Sequence, residues 1–176
     1  MPHQMKRLHY LSFLIGIACL VSCHDNTDDY TPYISYSFFY VNPTVVDDTL
    51  RSAQDTIVSP TYDASLGAYV WDTLAVNDTL FAVVAFGTYS NYLTATHVEH
   101  DGEALSVFTD HLDVLSSALS SYDEGLMSFY YKSGYNLAVM PVYIVPKKTG
   151  VWKVRFVCES DSRYSPTAHT FLLPVQ

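Results

Sequence analysis

Residues 149–158 read Thr-Gly-Val-Trp-Lys-Val-Arg-Phe-Val-Cys, and this stretch decides the fold class. Large apolar side chains recur at every second position, and Lys153 and Arg155 stand between them. Such alternation is typical of a β-strand that turns one face to the core and the other to water. The predicted inward face carries Trp152, Val154, Phe156 and Cys158. We therefore expect Cys158 to be an inert buried thiol.

The other apolar runs are short, rich in Val, Tyr, Phe and Thr, and separated by turn residues, which is the pattern of an all-β protein. One segment, 110–121, differs because its leucines recur at helical spacing behind a potential N-cap, Asp110. We expect one short helix there. The predicted strands are 33–41, 56–59, 70–76, 79–86, 93–99, 104–108, 126–131, 137–145, 149–158 and 168–175.

Turn residues predict how these strands connect. Asn77 and Asp78 tolerate left-handed backbone angles and predict a turn. Asp101-Gly102 is a strong hairpin signal, and residues 132–136 predict a longer hairpin loop. Pro141 cannot donate a ladder hydrogen bond, so it predicts an edge position or a bulge.

Two of these segments resemble bacterial immunoglobulin-like domains. Residues 76–80 are similar to the turn between strands A′ and B, and residues 146–154 are similar to the corner between strands E and F. In that family the corner residue is usually Tyr, and Trp152 takes its place here. The resemblance implies an immunoglobulin-like antiparallel β-sandwich with a core of about residues 60–176, inside a single domain at 33–176.

The first 23 residues predict an export signal. Lys6 and Arg7 give a basic start, residues 11–21 are largely apolar, and Ser22 precedes Cys23. Leu20-Val21-Ser22-Cys23 resembles the lipobox of bacterial lipoproteins, which implies that 1–22 is a signal peptide and that Cys23 is the lipid attachment site. The alternatives are a membrane-spanning anchor, an ordinary secretory peptide, or modification at Cys19.

Residues 23–32 then form the predicted lipidated tether. Residues 24–29 are polar and acidic, which favours a solvated segment. They also resemble the acidic export tract of surface lipoproteins of the Bacteroidetes type, which implies an outer-membrane or cell-surface location with the membrane as a partner through the lipid. A plain linker and a calcium loop are the alternatives.

The charge of the chain argues against nucleic acid as a partner. The whole chain has 9 basic and 18 acidic residues, and removal of the leader takes two basic residues away, so the net charge becomes −11. Phosphate binding requires a basic face.

Asp-Thr followed by Leu or Ile occurs four times, and it resembles the O-glycosylation acceptor of Bacteroidetes-type surface proteins. The resemblance implies sugars on four threonines: Thr49, Thr56, Thr73 and Thr79. The alternative is that Asp ends a turn and Thr begins a strand.

Candidate catalytic and metal-binding residues are weak in this sequence. His97, Glu99 and His100 invite a metal interpretation, but on a strand His100 does not share the face of the other two. Asp123 and Glu124 are adjacent and cannot oppose each other across a sugar. We predict no catalytic residues, no metal and no cofactor.

Tyr135 is the tyrosine that we expect to contact a ligand, because its loop, 132–136, offers nothing to bury it. The sequence therefore predicts a non-catalytic binding or interaction module that contacts a glycan or an envelope protein. A structural spacer or assembly subunit is the alternative, and a hydrolase is a weaker one.

Overall fold

The computed structural model describes residues 29–42, 45–46, 49–50, 56–57, 59–110 and 112–176. In this part of the chain, β-strands dominate and a single four-residue helix, α1 (Leu112–Leu115), interrupts them. The strands before the helix are β1 (Tyr33–Val41), β2 (Val45–Val46), β3 (Thr49–Leu50), β4 (Thr56–Ile57), β5 (Thr61–Asp63), β6 (Ala68–Val70), β7 (Leu80–Gly87), β8 (Leu93–His100) and β9 (Leu105–Phe108). The strands after it are β10 (Leu119–Asp123), β11 (Ser128–Tyr131), β12 (Leu137–Pro146), β13 (Gly150–Ser160) and β14 (Thr167–Val175).

Two large sheets pack face to face. One has the order β4-β1-β7-β12-β9, and the other has the order β10-β11-β8-β13-β14-β6-β5. Strands β2 and β3 form a separate pair. The predicted all-β sandwich is therefore confirmed, with one correction: β14 and β6 run parallel, so the larger sheet is mixed and not purely antiparallel.

The strand order agrees with the arrangement that the sequence resemblance implies. In an immunoglobulin sandwich, strands A, B, E and D form one sheet and C, F and G the other. Strands β1, β7, β12 and β9 take the first set of positions, and β8, β13 and β14 take the second. The hairpin β10–β11 is added beside β8, at the edge of the larger sheet.

The core lies between the inner faces of the two sheets. Strand β13 contributes as predicted: Val154, Phe156 and Cys158 have no exposed surface, whereas Lys153 faces solvent. The ring of Phe156 meets Phe171 edge-on at 5.5 Å, which is a favourable aromatic geometry. Burial also raises the pKa of the Cys158 thiol to about 12, as expected for an unreactive cysteine.

The corner between β12 and β13 is closed by a side-chain hydrogen bond. Gly150 has a φ of 140°, and the indole Nε1 of Trp152 donates to the carbonyl of Lys148 at 2.8 Å. In immunoglobulin domains a tyrosine hydroxyl makes the corresponding bond to the backbone. Here an indole N–H does so.

The turn at 76–78 is also confirmed. Asn77 has a φ of 70°, and the Asp78 carboxylate accepts hydrogen bonds from the Ala75 amide and the Asn42 side chain, each at 2.8 Å. The strand predicted at 70–76 is wrong: β6 ends at Val70, and only an isolated bridge at Leu74 follows it before the turn.

Both predicted hairpins are wrong. Strand β8 belongs to the larger sheet and β9 to the smaller one, so the turn at Asp101-Gly102 crosses between the sheets. Residues 132–136 cross between the sheets in the same way, from β11 to β12. Asp-Gly fixes the conformation of a turn, but burial decides which sheet the next strand joins, and Ala104 and Leu105 enter the core directly after the turn.

The helix is shorter than the leucine spacing suggests. Leu115 is buried in α1, but Leu119 already belongs to β10, which pairs with β11. Pro141 fits its prediction of an edge position. It pairs with Val83 of β7, while β9 begins to cover the other side of β12 only at Tyr143.

Candidate functional site

A groove of about 520 Å³ lies on the outer face of the larger sheet. The strand register places its residues in rows across β11, β8 and β13. Ser128 lies opposite His97, and in the row beyond it Tyr130 and Glu159 both flank Ala95. The lining consists of His97, Glu99, His100, Gly102, Gly125, Leu126, Ser128, Tyr130 and Glu159.

Two turns close the groove at one end of the sheet. In the first, the Asp101 carboxylate accepts a hydrogen bond from the Glu103 amide at 2.9 Å. In the second, the Asp123 carboxylate accepts one from the Leu126 amide at 3.0 Å. The second turn presents Leu126 to solvent with 67% of its surface exposed, so one wall of the groove is apolar.

Charged side chains on the floor of the groove are partly paired. One Arg155 nitrogen donates to both Glu99 oxygens, at 2.9 and 3.1 Å. The Nε2 of His97 lies 3.7 Å from a Glu159 oxygen, and its Nδ1 is 3.0 Å from the Ser128 hydroxyl. Carboxylate lone pairs not used in these contacts are available to accept hydrogen bonds from a ligand.

Tyr130 supplies an aromatic surface beside these groups. The side chain is 44% exposed, and its ring meets His97 edge-on with centroids 5.8 Å apart. An aromatic face next to carboxylates and a ring nitrogen suits a ligand that combines apolar C–H surface with hydroxyl groups.

Three of the groove residues, His97, Glu99 and His100, are those of the metal interpretation. His97 and Glu99 share the outer face as predicted, and His100, whose Nδ1 bonds to the Val98 carbonyl at 2.8 Å, lines the groove as well. In the described residues, no three His, Cys, Asp or Glu side chains come together in a way that could hold a metal ion. Strand β11 carries Ser128 and Tyr130, and strand β13 carries Glu159. In the sequence, only the alternation that places these side chains on the outer face of the sheet could have indicated them.

Tyr135 lies outside the groove. It is 36% exposed, and its hydroxyl donates to the Ser117 carbonyl at 3.4 Å. Its own carbonyl accepts from the Leu93 amide at 2.7 Å. The loop thus partly holds the ring, and ligand contact by Tyr135 stays a prediction.

The predicted modification sites divide into described and undescribed residues. Thr73 is exposed, with Leu74 buried beside it, and Thr79 is half-buried. The Thr79 amide donates to the Asn42 side chain at 2.8 Å. Thr49 and Thr56 lie in β3 and β4, but their side chains fall outside the described part, as does all of Cys23.

Two acidic residues named from the sequence, Asp123 of the adjacent acidic pair and the potential N-cap Asp110, accept hydrogen bonds within the fold. Asp123 caps the turn that Glu124 begins. Asp110 accepts a hydrogen bond from the Tyr143 hydroxyl at 2.9 Å, and burial of that hydroxyl, together with this bond, raises the Tyr143 pKa to about 12. These contacts give both carboxylates structural roles.

Comparisons with known proteins identify no family. No family model and no curated protein matches the chain. Among solved structures, a family 123 glycoside hydrolase from Clostridium perfringens, studied for glycolipid glycan hydrolysis, aligns with 12% identity over 60% of this chain and 22% of that chain. The TM-score of 0.32 is too low to carry an argument about function. Among the described residues, no helix has the length and apolarity needed to cross a membrane.

Proposed function

We propose that this chain is a lipid-anchored, outward-facing binding domain without catalytic activity, and that its groove binds a carbohydrate. One observation carries the proposal: an exposed aromatic ring, two carboxylates and two histidines line one groove of about 520 Å³. This volume lies in the range of small-molecule sites. Sugars present C–H faces that stack on aromatic rings and hydroxyls that donate to carboxylates.

Binding to an array of microbial and host glycans tests this proposal, using the unlipidated Cys23→Ala protein in solution. Tyr130→Ala should weaken binding at least about tenfold, which corresponds to about 1.4 kcal/mol. Glu159→Gln should also weaken it, because the neutral amide is a poorer acceptor for sugar hydroxyls. Tyr122→Ala is the matched control, since this exposed tyrosine of β10 does not line the groove.

Tyr135→Ala enters the same experiment as a separate variant. Loss of binding in Tyr135→Ala with full binding in Tyr130→Ala would move the glycan from the groove to the 132–136 loop. Binding of no glycan by the wild type would remove carbohydrate recognition. It would favour the spacer or assembly role, for which capture of a specific envelope protein is the further test.

The anchor is tested by cell fractionation. Cys23→Ala should move the protein out of the membrane fraction, because the acyl chains on this residue would supply the attachment. Cys19→Ala is the matched control and should leave the protein in the membrane fraction. An unchanged distribution of Cys23→Ala, with its leader removed as in the wild type, would overturn the lipid attachment.

O-glycosylation at the Asp-Thr-aliphatic motifs is part of the same proposal. Thr73 is the best placed of the described acceptors because its side chain is exposed, whereas Thr79 is half-buried. Intact mass of the mature protein is the measurement, and Thr73→Val should remove one glycan mass. A mature mass equal to that of the polypeptide plus lipid would mean that the motifs carry no sugar and only mark the starts of strands.

A further inference from the structure

Tyrosines are concentrated at one end of the sandwich, opposite the turns that close the groove. Strand β1 begins there at Tyr33, next to Gly87 at the end of β7. The loops 88–92 and 161–166 lie at the same end, because the Asp161 amide donates to the Tyr92 carbonyl at 3.0 Å. Four exposed tyrosine rings lie at this end of the sandwich, which we call the tyrosine end. Tyr30 is 47% exposed, Tyr89 69%, Tyr92 45% and Tyr164 45%.

The rings at this end are held in place. Tyr30 and Tyr33 both contact Tyr89, with centroids 5.6 and 5.1 Å apart. The guanidinium of Arg163 lies 5.5 Å above the Tyr164 ring. A preformed aromatic surface loses little side-chain entropy when it contacts a partner.

The chain that leads to the lipid leaves the domain at this same end. The Asp29 carboxylate accepts from the Arg163 amide at 3.1 Å and lies 3.3 Å from the Arg163 Nε. The Tyr30 amide donates to the Asn91 side chain at 3.2 Å. These contacts fix the last residues of the tether against the loops.

Only six residue steps separate Asp29 from Cys23. A fully extended chain of this length spans about 20 Å at most. If Cys23 carries the lipid, as the proposed function holds, the tyrosine end lies within that distance of the membrane surface. A short tether also gives an effective concentration of about a millimolar, so that even a weak contact is populated.

From this placement we propose that the tyrosine end rests on the lipid–water interface of the membrane that carries the anchor. Tyrosine favours this environment, because its ring is apolar and its hydroxyl remains hydrated. The proposed contact with the membrane does not require basic residues, which agrees with the net negative charge of the chain. The groove then lies toward the far end of β8, a strand about 25 Å long, and therefore at a distance from the membrane surface.

Chemical modification of tyrosines tests the inference, which rests on the proposed lipid anchor. The full lipidated protein is bound to phosphatidylcholine vesicles, treated with tetranitromethane and mapped by peptide mass. The unlipidated Cys23→Ala protein in solution is the reference. Modification of Tyr89 and Tyr164 should slow at least about fivefold on vesicles, as expected for rings held in the interface. Tyr62 and Tyr122, exposed on strands β5 and β10, are the internal controls and should react at the same rate in both samples.

The double variant Tyr89→Asp/Tyr164→Asp gives a second measurement on the same vesicles. It should remain vesicle-bound through its lipid and lose the protection of Tyr30 and Tyr92. Vesicle-bound wild type with Tyr89 and Tyr164 as reactive as in solution would overturn this inference and leave the anchor intact. Wild type that fails to float with the vesicles would overturn the anchor and, with it, the inference.

Discussion

At the scale of single residues, Trp152 explains how the corner between β12 and β13 is closed. Its indole N–H donates a hydrogen bond to the Lys148 carbonyl, in the place where a corner tyrosine would donate one from its hydroxyl. The sequence resemblance located this position. The resemblance did not predict the hydrogen bond of the indole, because the conformation of residues 147–150 decides whether an indole can reach the backbone.

Trp152→Phe should lower the free energy of unfolding by about 1 kcal/mol, because it removes this hydrogen bond and keeps an aromatic ring. Denaturant unfolding followed by circular dichroism is the measurement. Val151→Ala, at an exposed neighbour on the same strand, should change stability by less than about 0.5 kcal/mol. Equal stability of Trp152→Phe and wild type would mean that the bond contributes nothing.

His169 gives the fold a dependence on pH. Its ring contacts Tyr69, its Nδ1 lies 3.2 Å from the Tyr36 hydroxyl, and burial lowers its pKa below 6.5, the ordinary value for histidine. Between pH 6.5 and the lowered value, the unfolded chain takes up a proton that the folded chain does not. Stability from this group is therefore full above pH 6.5 and falls as the pH drops.

His169→Gln should remove the part of the pH dependence of stability that comes from His169. The difference in unfolding free energy between wild type and variant should shrink as the pH falls from 8 to 5, with the wild type losing more. Denaturant titrations of both proteins at several pH values provide the measurement. Parallel pH profiles would show that His169 protonation is not linked to folding.

At the scale of elements, the sequence predicted where the strands lie better than it predicted which strands pair with each other. The bounds of β1 are those predicted, and the inward residues of β13 follow the alternation. Both predicted hairpins are wrong because an Asp-Gly pair or a Gly-containing loop specifies a local bend. The choice between pairing and crossing to the other sheet depends on core burial of residues far apart in the chain, such as Leu105 and Ile144.

Glycine at position 150 should be required by the corner. At a φ of 140° an L-residue is strained, and an added Cβ would lie 3.0 Å from the Trp152 ring. Gly150→Ala should therefore cost about 1–3 kcal/mol. Thermal unfolding is the measurement, and Gly102→Ala is the matched control, because an added Cβ there meets nothing within 4 Å. Equal losses in the two variants would contradict the strain argument.

At the scale of the whole molecule, the sandwich separates two surfaces. The groove is built from outward residues of three strands and closed by two turns at one end, while the tyrosines and the last residues of the tether, Asp29 and Tyr30, lie at the other. Sequence reasoning could propose the anchor and the sandwich separately. It could not place them relative to each other, because the strand register alone decides which loops share an end.

The same register explains why no local motif in the sequence indicates the whole groove. Tyr130 and Glu159 are 29 positions apart in the sequence and become neighbours only because both β11 and β13 pair with β8. A local motif could therefore indicate His97 and Glu99 but not the aromatic ring beside them.

The most direct test of the binding proposal is nuclear magnetic resonance of the ¹⁵N-labelled Cys23→Ala protein, titrated with the best glycan from the array. We expect the largest amide shift changes at His97, Glu99, Ser128, Tyr130 and Glu159, saturating with a single dissociation constant and absent in Tyr130→Ala. Shift changes confined to loops 88–92, 132–136 and 161–166, or none at all, would contradict a carbohydrate site in the groove.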